Sequence, residues 1–399
     1  MFALRKDNYS MRVLCVTLNY ADAWGGTTLS VTNFAQALDA DILSFTFEGL
    51  IPKARKGKCV YHIPVPNSLT GRLYSRPNAY NLRQATDLAH EYDVIICHML
   101  FRYHNYWVTG LHKPYFVVPH GSLDPYVFTY RRLQKELWLL SIGSRFFSRA
   151  EAVIFATRRE QEKAFRGNGS DNGKVISWGL KVKAHDGSDR AQIRYKLGIP
   201  RNARMLIALG RLHSMKRPME MIEAFALAAQ EKLHLVIAGP EEQYTVHELQ
   251  TFAMLCGTRN VHIIGPVFGN EKWKLYRAAD GYISMSAREN FGYTLVEAMF
   301  AGLPTILSPG NDLSMDISGE KCSWELKTDT KEEAVRAIRS FAHSKTKTLH
   351  NMGERGRRWA LKNATFDVFR SKIRELVFSQ QNKIAVIDKT SKRGYTNEK

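Results

Sequence analysis

Short runs that are mostly apolar without strict alternation recur along the chain. The first series comprises MRVLCVTL (11–18), 41–47, DVIIC (93–97), 115–118 and 152–156. A second comprises 205–209, 233–238, 261–265, 281–285 and 304–307. Such runs predict strands buried on both faces, which means parallel strands covered by helices. Helical periodicity fills the intervals: from the glycines at 25–26 to about 38, then 78–92, 130–149, from 219 onward, 271–278 and 293–301. Strand and helix therefore alternate, and the fold class is α/β. The glycine-rich 167–173 and the polar 185–190 separate the two series, placing a boundary near residue 180 and two domains at 1–180 and 181–362. Residues 352–380 read as one or two helices broken around 363–366, and the charged, polar 387–399 as a disordered tail.

Four turns at strand ends carry chemistry. In 281–309 a strand ends in Ser286 to Glu289, Phe291-Gly292 punctuate, and a helix runs 293–301. Gly302 stands where its cap belongs, and Pro304 stops any continuation. A helix start offers free N–H groups and a positive dipole end that suit a phosphate. Glu289, repelled by a phosphate, is better placed to accept from neutral hydroxyls such as a sugar's. Glu297, one turn into the helix, could hold a second diol such as a ribose. An exposed turn acid and an ordinary helix glutamate are the plainer reading. Arg211 and Lys216 follow the strand 205–209, where a planar fork and a point charge together can offset a diphosphate; a solvated surface is the alternative.

Gly25-Gly26 open a helix after the first strand and let a ligand approach the backbone, although a mere tight turn has the same sequence. The spacing is not that of a dinucleotide fingerprint. The turn Pro119-His120-Gly121-Ser122-Leu123-Asp124-Pro125 projects an imidazole beyond the sheet edge, unless His120 is only a turn residue. His98, closing the strand 93–97, is a weaker signal of the same kind.

Composition narrows the partners. Fifty-seven Lys and Arg against 38 Asp and Glu give +19, which favours polyanions: nucleotide phosphates, nucleic acid or an anionic membrane. Five scattered cysteines without a CxxC pair fit a reducing cytoplasm. The amino terminus lacks a signal peptide's apolar core, and no run has the ~18 apolar residues of a membrane span. The stretch 130–149 has two readings. Leu133, Leu137, Trp138 and Leu140 pack in the domain and leave a solvated basic rim, or Arg131, Arg132, Lys135, Arg145 and Arg149 dock on anionic headgroups.

Glu289, seven residues, Glu297, with Phe291-Gly292 between and Glu-Ala-Met-x-x-Gly-x-Pro following, resembles the signature of retaining glycosyltransferase family 4. That resemblance implies the GT-B architecture, two Rossmann-like β/α/β domains facing each other across a cleft, with a final helix (363–386) returning to the first. It implies donor-sugar contacts from Glu289, Asn290 and Phe291, and a ribose contact from Glu297. It places the donor diphosphate on Arg211, Lys216, Gly292, Tyr293 and Thr294. His120 and Glu289 are the implied catalytic pair, with Gly25 and Gly26 in a loop near acceptor and phosphate. The implied reaction moves a hexose with retention from a GDP- or UDP-sugar to a saccharide or lipid-linked acceptor in polysaccharide or lipopolysaccharide assembly.

No Asp-x-Asp metal motif sits at a strand end, so neither metal nor cofactor is expected. The competing reading is a basic nucleic-acid- or membrane-surface-binding protein without transferase activity. Neither an RNA-binding aromatic signature nor a DNA-binding helix pair is present, so nucleic acid is not an expected partner. The expected location is the cytoplasm, with peripheral contact to an anionic membrane face left open.

Overall fold

The structure, a computed structural model, describes residues 11–21, 25–48, 59–68, 75–164, 172–182 and 190–379. The basic loop at 53–58, most of the glycine-rich 167–173, the polar 185–189 and the tail 387–399 lie outside the described residues. The chain divides into two compact units. One holds the residues up to Ala156, Glu160–Gly179 and the chain from Phe366 on; the other holds Thr157–Arg159 and Leu180–Thr365.

In the first unit seven described strands form one parallel sheet: β1 (Val13–Leu18), β2 (Asp41–Phe47), β3 (Val60–Val65), β4 (Val94–His98), β5 (Tyr115–Val118), β6 (Ala152–Phe155) and β7 (Gly173–Val175). Their order is β3-β2-β1-β4-β5-β6-β7. Every residue of β1, β4, β5 and β6 is buried, as their largely apolar runs require. One face packs Val16, Phe45, Ile95, Val117 and Phe155. On the other, Phe34 meets the last helix, Phe366–Phe378, edge-to-face at Phe369 with ring centroids 5.0 Å apart. Trp178 completes that aromatic cluster. Gly179 is required there: a Cβ would lie 2.7 Å from the Phe369 Cβ, so the helix could not seat.

The second unit repeats the scheme with β8 (Arg204–Leu209), β9 (Leu233–Ala238), β10 (Val261–Ile264), β11 (Gly281–Ser284), β12 (Thr305–Leu307) and β13 (Ser323–Glu325). The order is β10-β9-β8-β11-β12-β13, again parallel throughout. Leu206, Leu235, Ile237, Ile283, Ile306 and Phe341 form its core. These two sheets bear out the α/β, two-domain GT-B reading.

One expectation is corrected. The stretch 130–149 is a broken helical run, α over Arg132–Trp138, π over Leu139–Gly143 and α over Ser144–Ser148. The π turn inserts one residue into the repeat and swings Phe146 and Phe147 inward, where they meet Trp138. Leu133, Leu137 and Leu140, read as packing residues, stay on the outside. Among the described residues no helix is long and apolar enough to cross a membrane.

Candidate active site

In the second sheet β8 and β11 are neighbours, paired Leu206 with Gly281 and Ile207 with Tyr282. The chain leaves β8 toward β9 and leaves β11 toward β12, so the sheet order reverses between them. A parallel sheet opens a crevice at the carboxyl ends of two such strands. Arg211 and Lys216 follow β8, and Glu289 to Gly292 follow β11, so the topology alone brings these two turns together.

The turns are joined by backbone. Ala287 N–H donates to the Met215 carbonyl at 2.9 Å. The 3-10 turn Ser214–Lys216 is closed by His213, whose Nδ1 accepts from Met215 N–H at 3.0 Å. Lys216 then reaches across as an ion pair to Glu289 Oε2. Burial lowers the Lys216 ammonium to about 8, and the charge of Arg211 acts in the same direction. Arg211 itself donates to both carboxylate oxygens of Glu242 at 2.6 Å. Each cation of the expected diphosphate site therefore rests on a carboxylate.

Glu289 is held on both sides of its own peptide, N–H to the Gly310 carbonyl at 2.8 Å and carbonyl from Asp312 N–H at 2.9 Å. The helix Tyr293–Phe300 starts at Gly292, which has a left-handed φ of 72° and makes no side-chain cap bond to the first turn. A Cβ on Gly292 would sit 3.2 Å from the Glu289 Cγ, so backbone and carboxylate both demand glycine. Phe291 is buried with its ring edge-to-face on Tyr293, 5.2 Å between centroids. The Asn290 Oδ1 is buried without a hydrogen-bond partner among the described residues.

Glu297 lies almost fully buried, held by Lys272 Nζ at 2.6 Å and by the Tyr276 hydroxyl at 3.1 Å. Tyr276 also donates to the Thr294 carbonyl at 2.9 Å, and Thr294 Oγ1 shares a hydrogen bond with the Tyr282 hydroxyl. Burial, then the charge of Glu297, push the Tyr276 phenol well above its usual range, so it stays a donor. Neither Lys272 nor Tyr276 is among the site residues the sequence suggested. Their (i, i+4) spacing on the helix Gly269–Ala278, which aims both at one point, was the available signal.

The histidine turn belongs to the first unit. His120 has a left-handed φ of 53°, and its Nε2 shares a hydrogen bond of 3.0 Å with His98 Nδ1, the rings stacked. The His98 carbonyl in turn faces His104 Nε2 at 2.8 Å. Burial lowers His120 to about 3 and His104 to about 4, and drives His98 well below the usual imidazole value. All three are neutral at physiological pH. The turn is fixed by buried Glu160, which accepts from Gly121 N–H and Ala156 N–H, both at 2.7 Å. Nothing in the sequence around Glu160 signals that role. After β1, Gly25 caps the helix Gly26–Ala37 with φ 52°, without a side-chain cap bond.

Comparison with known proteins bears on the fold and the family. Residues 189–359 match the family described as glycosyl transferases group 1, and residues 24–180 match glycosyltransferase family 4. A D-inositol 3-phosphate glycosyltransferase of Xylanimonas cellulosilytica is 28% identical over 39% of this chain and 40% of its own length. The chain thus spans less than half the length of the first curated relatives it matches. A GDP-mannose:cellobiosyl-diphosphopolyprenol alpha-mannosyltransferase of Komagataeibacter xylinus is 25% identical over 77% of this chain and 78% of its own. Among solved structures, Anabaena HepE in complex with UDP and glucose superposes with a TM-score of 0.74 at 18% identity, covering 92% of this chain and all of that one. Two adjoining family matches, one on each unit, together cover most of the chain and lead to one assignment: the chain belongs to glycosyltransferase family 4.

Proposed function

We propose that this protein transfers a hexose, with retention and without a metal, from a GDP- or UDP-sugar to a saccharide or lipid-linked acceptor in polysaccharide or lipopolysaccharide assembly. The observation that carries the reading is the backbone-locked meeting of Lys216, Arg211 and Glu289 with an uncapped helix start at the switch point of the second sheet. Departure of a nucleoside diphosphate builds negative charge on its oxygens, and preorganised cations and amides stabilise that charge most when water is excluded. Arg211, Lys216 and the first amides of the helix at Gly292, Tyr293 and Thr294 supply this stabilisation.

The resting ion pairs give the donor a way in. The diphosphate takes Lys216 from Glu289 and Arg211 from Glu242, and Glu289, freed of its partner, accepts from the hexose hydroxyls. Asn290 and Phe291 border the sugar, and Glu297, already oriented by Lys272 and Tyr276, meets the ribose diol. His120 acts as a neutral hydrogen-bonding group toward the sugar, since its imidazole does not charge near pH 7. Gly25 and Gly26 leave backbone room beside the acceptor. The leaving diphosphate takes the acceptor hydroxyl proton on the face it departs from, which preserves the anomeric configuration without a covalent intermediate. The relative of Komagataeibacter xylinus, whose name specifies GDP-mannose and a polyprenyl diphosphate-linked acceptor, supports this donor and acceptor class.

The test is a thermal-shift screen with UDP- and GDP-sugars, followed by nucleotide release assayed for Lys216→Ala and Glu289→Ala. One donor class should raise the melting point by mass action, and both variants should lose turnover while keeping their circular dichroism. Normal turnover by both folded variants would remove the assignment.

A further inference from the structure

Two loops of the first unit hold residues other than glycine in the left-handed region. Met99 and Phe101, between β4 and the helix Tyr103–Gly110, have φ of 67° and 61°, and His120, after β5, has 53°. Such strain gathers at functional sites and persists only where neighbours over-determine it. Here Asn105 donates to the Met99 carbonyl at 2.9 Å and accepts from Arg102 N–H at 3.0 Å, while Met99 N–H donates to the Val118 carbonyl at 2.9 Å. The stacked pair His98 and His120, bonded at 3.0 Å, joins the two loops through their side chains.

A neutral imidazole carries one proton, and the bonding pattern says where. His104 Nε2 faces the His98 carbonyl at 2.8 Å, and a carbonyl only accepts, so the proton is on Nε2 and the enclosed Nδ1 is bare. His98 is fully buried, and its Nε2 has no partner among the described residues. Its ring meets Phe34 edge-to-face, 5.1 Å between centroids. A buried N–H without an acceptor is rarer in folded chains than an unfilled lone pair. His98 therefore keeps its proton on Nδ1 and donates it to His120 Nε2. That leaves His120 only Nδ1 for its own proton. His120 is part-buried, and its Nδ1 is not among the enclosed atoms.

We propose that His98 is a positioning residue that fixes His120 as the Nδ1–H tautomer, so that the histidine turn presents its ligand with a hydrogen-bond donor and no acceptor. For His120 to become an acceptor, both rings would have to switch together, and His98 would then hold an enclosed N–H beside Phe34. The ligand's identity rests on the transfer reading: the donor meets a lone pair of a sugar hydroxyl on the nucleotide sugar.

The full chain labelled with 15N-histidine tests this by long-range 1H–15N correlation at neutral pH, with His98→Leu and His120→Gln samples assigning the resonances. Both His98 and His120 should show a protonated Nδ1 and a bare Nε2. A protonated Nε2 on either ring would overturn the proposal. His98→Leu keeps the volume and removes the donor, so kcat/KM for the nucleotide sugar should fall about tenfold while affinity for UDP or GDP holds. His98→Asn returns an N–H near the Nδ1 position and should recover kcat/KM to within about threefold of wild type. Because asparagine is smaller and polar in an aromatic cluster, it should also melt lower than the leucine variant, so activity and stability rank the two oppositely. Wild-type kcat/KM in His98→Leu, or an asparagine variant less active than the leucine one, would reduce His98 to packing. A wild-type chain that releases no nucleotide would sink the transfer reading alone, and the tautomer spectra would still decide for or against His98.

Discussion

Lys216 gives the sharpest test of the diphosphate assignment, because its titration sets two measurable quantities moving in opposite directions. Burial and Arg211 bring its ammonium from 10.5 to about 8. If the donor binds only the charged form, about nine-tenths of the enzyme is competent at pH 7 and about one-tenth at pH 9. The kcat/KM for the donor reports free-enzyme ionisations, so it should fall about tenfold over that interval. Stability runs the other way. Between about 8 and 10.5 the unfolded chain holds a proton on this lysine that the folded chain has released, so the contribution of Lys216 to stability rises with pH. The assay is initial-rate nucleotide release across pH 6 to about 9.5, beside melting curves in the same buffers. Lys216→Arg keeps its charge throughout, so its profile should stay level at a lower plateau. A level wild-type profile, or the same fall in Lys216→Arg, would refute the reasoning.

Three further outcomes are expected. Gly292→Ala forces a side chain into a left-handed conformation 3.2 Å from the Glu289 Cγ, and should cost about 1–2 kcal/mol in urea unfolding together with most of the turnover. Tyr276→Phe removes the donor to Glu297 and to the Thr294 carbonyl, costing about 1–3 kcal/mol and raising the donor KM more than it lowers kcat. Glu160→Gln can satisfy only one of two buried N–H groups, so the melting point should drop by the equivalent of about 2 kcal/mol, and kcat should fall as the His120 turn loosens.

What could be read in advance divides along a physical line. Strands such as Val94–His98 and Leu233–Ala238 announce themselves because a parallel strand covered on both faces is built mostly of apolar residues. The turns at Arg211–Lys216 and Glu289–Gly292 were legible because glycine and charge at a strand end have few other uses. The helical run 130–149 misled because periodicity shows that Leu133, Leu137 and Leu140 share a face without showing whether the fold covers it, and here it does not. Glu160 and Lys272 escaped for another reason. Their partners are backbone amides at Gly121 and Ala156 and a carboxylate 25 residues away, and a helical spacing such as that of Lys272 and Tyr276 shows a shared face but not the partner the fold brings to it.

The resting pairs carry the last step. Lys216 on Glu289 and Arg211 on Glu242 differ in one respect that matters for selectivity. Arg211 and Glu242 are about half exposed, with side chains at 55% and 40%, so water screens them and their exchange onto a ligand costs little. Lys216 and Glu289 are mostly buried, with side chains at 25% and 22%, and parting them strands a carboxylate unless something else fills its lone pairs. A free inorganic diphosphate can take the lysine but offers nothing to Glu289. A nucleotide sugar offers both the diphosphate and, one bond away, a row of hydroxyl donors. On the proposed function the ion pair would act as a discriminator, so the Glu289→Gln variant, which relieves the penalty, should narrow the gap in affinity between the nucleoside diphosphate and its sugar conjugate, measured by calorimetric titration. An unchanged gap would mean that the carboxylate never meets the sugar.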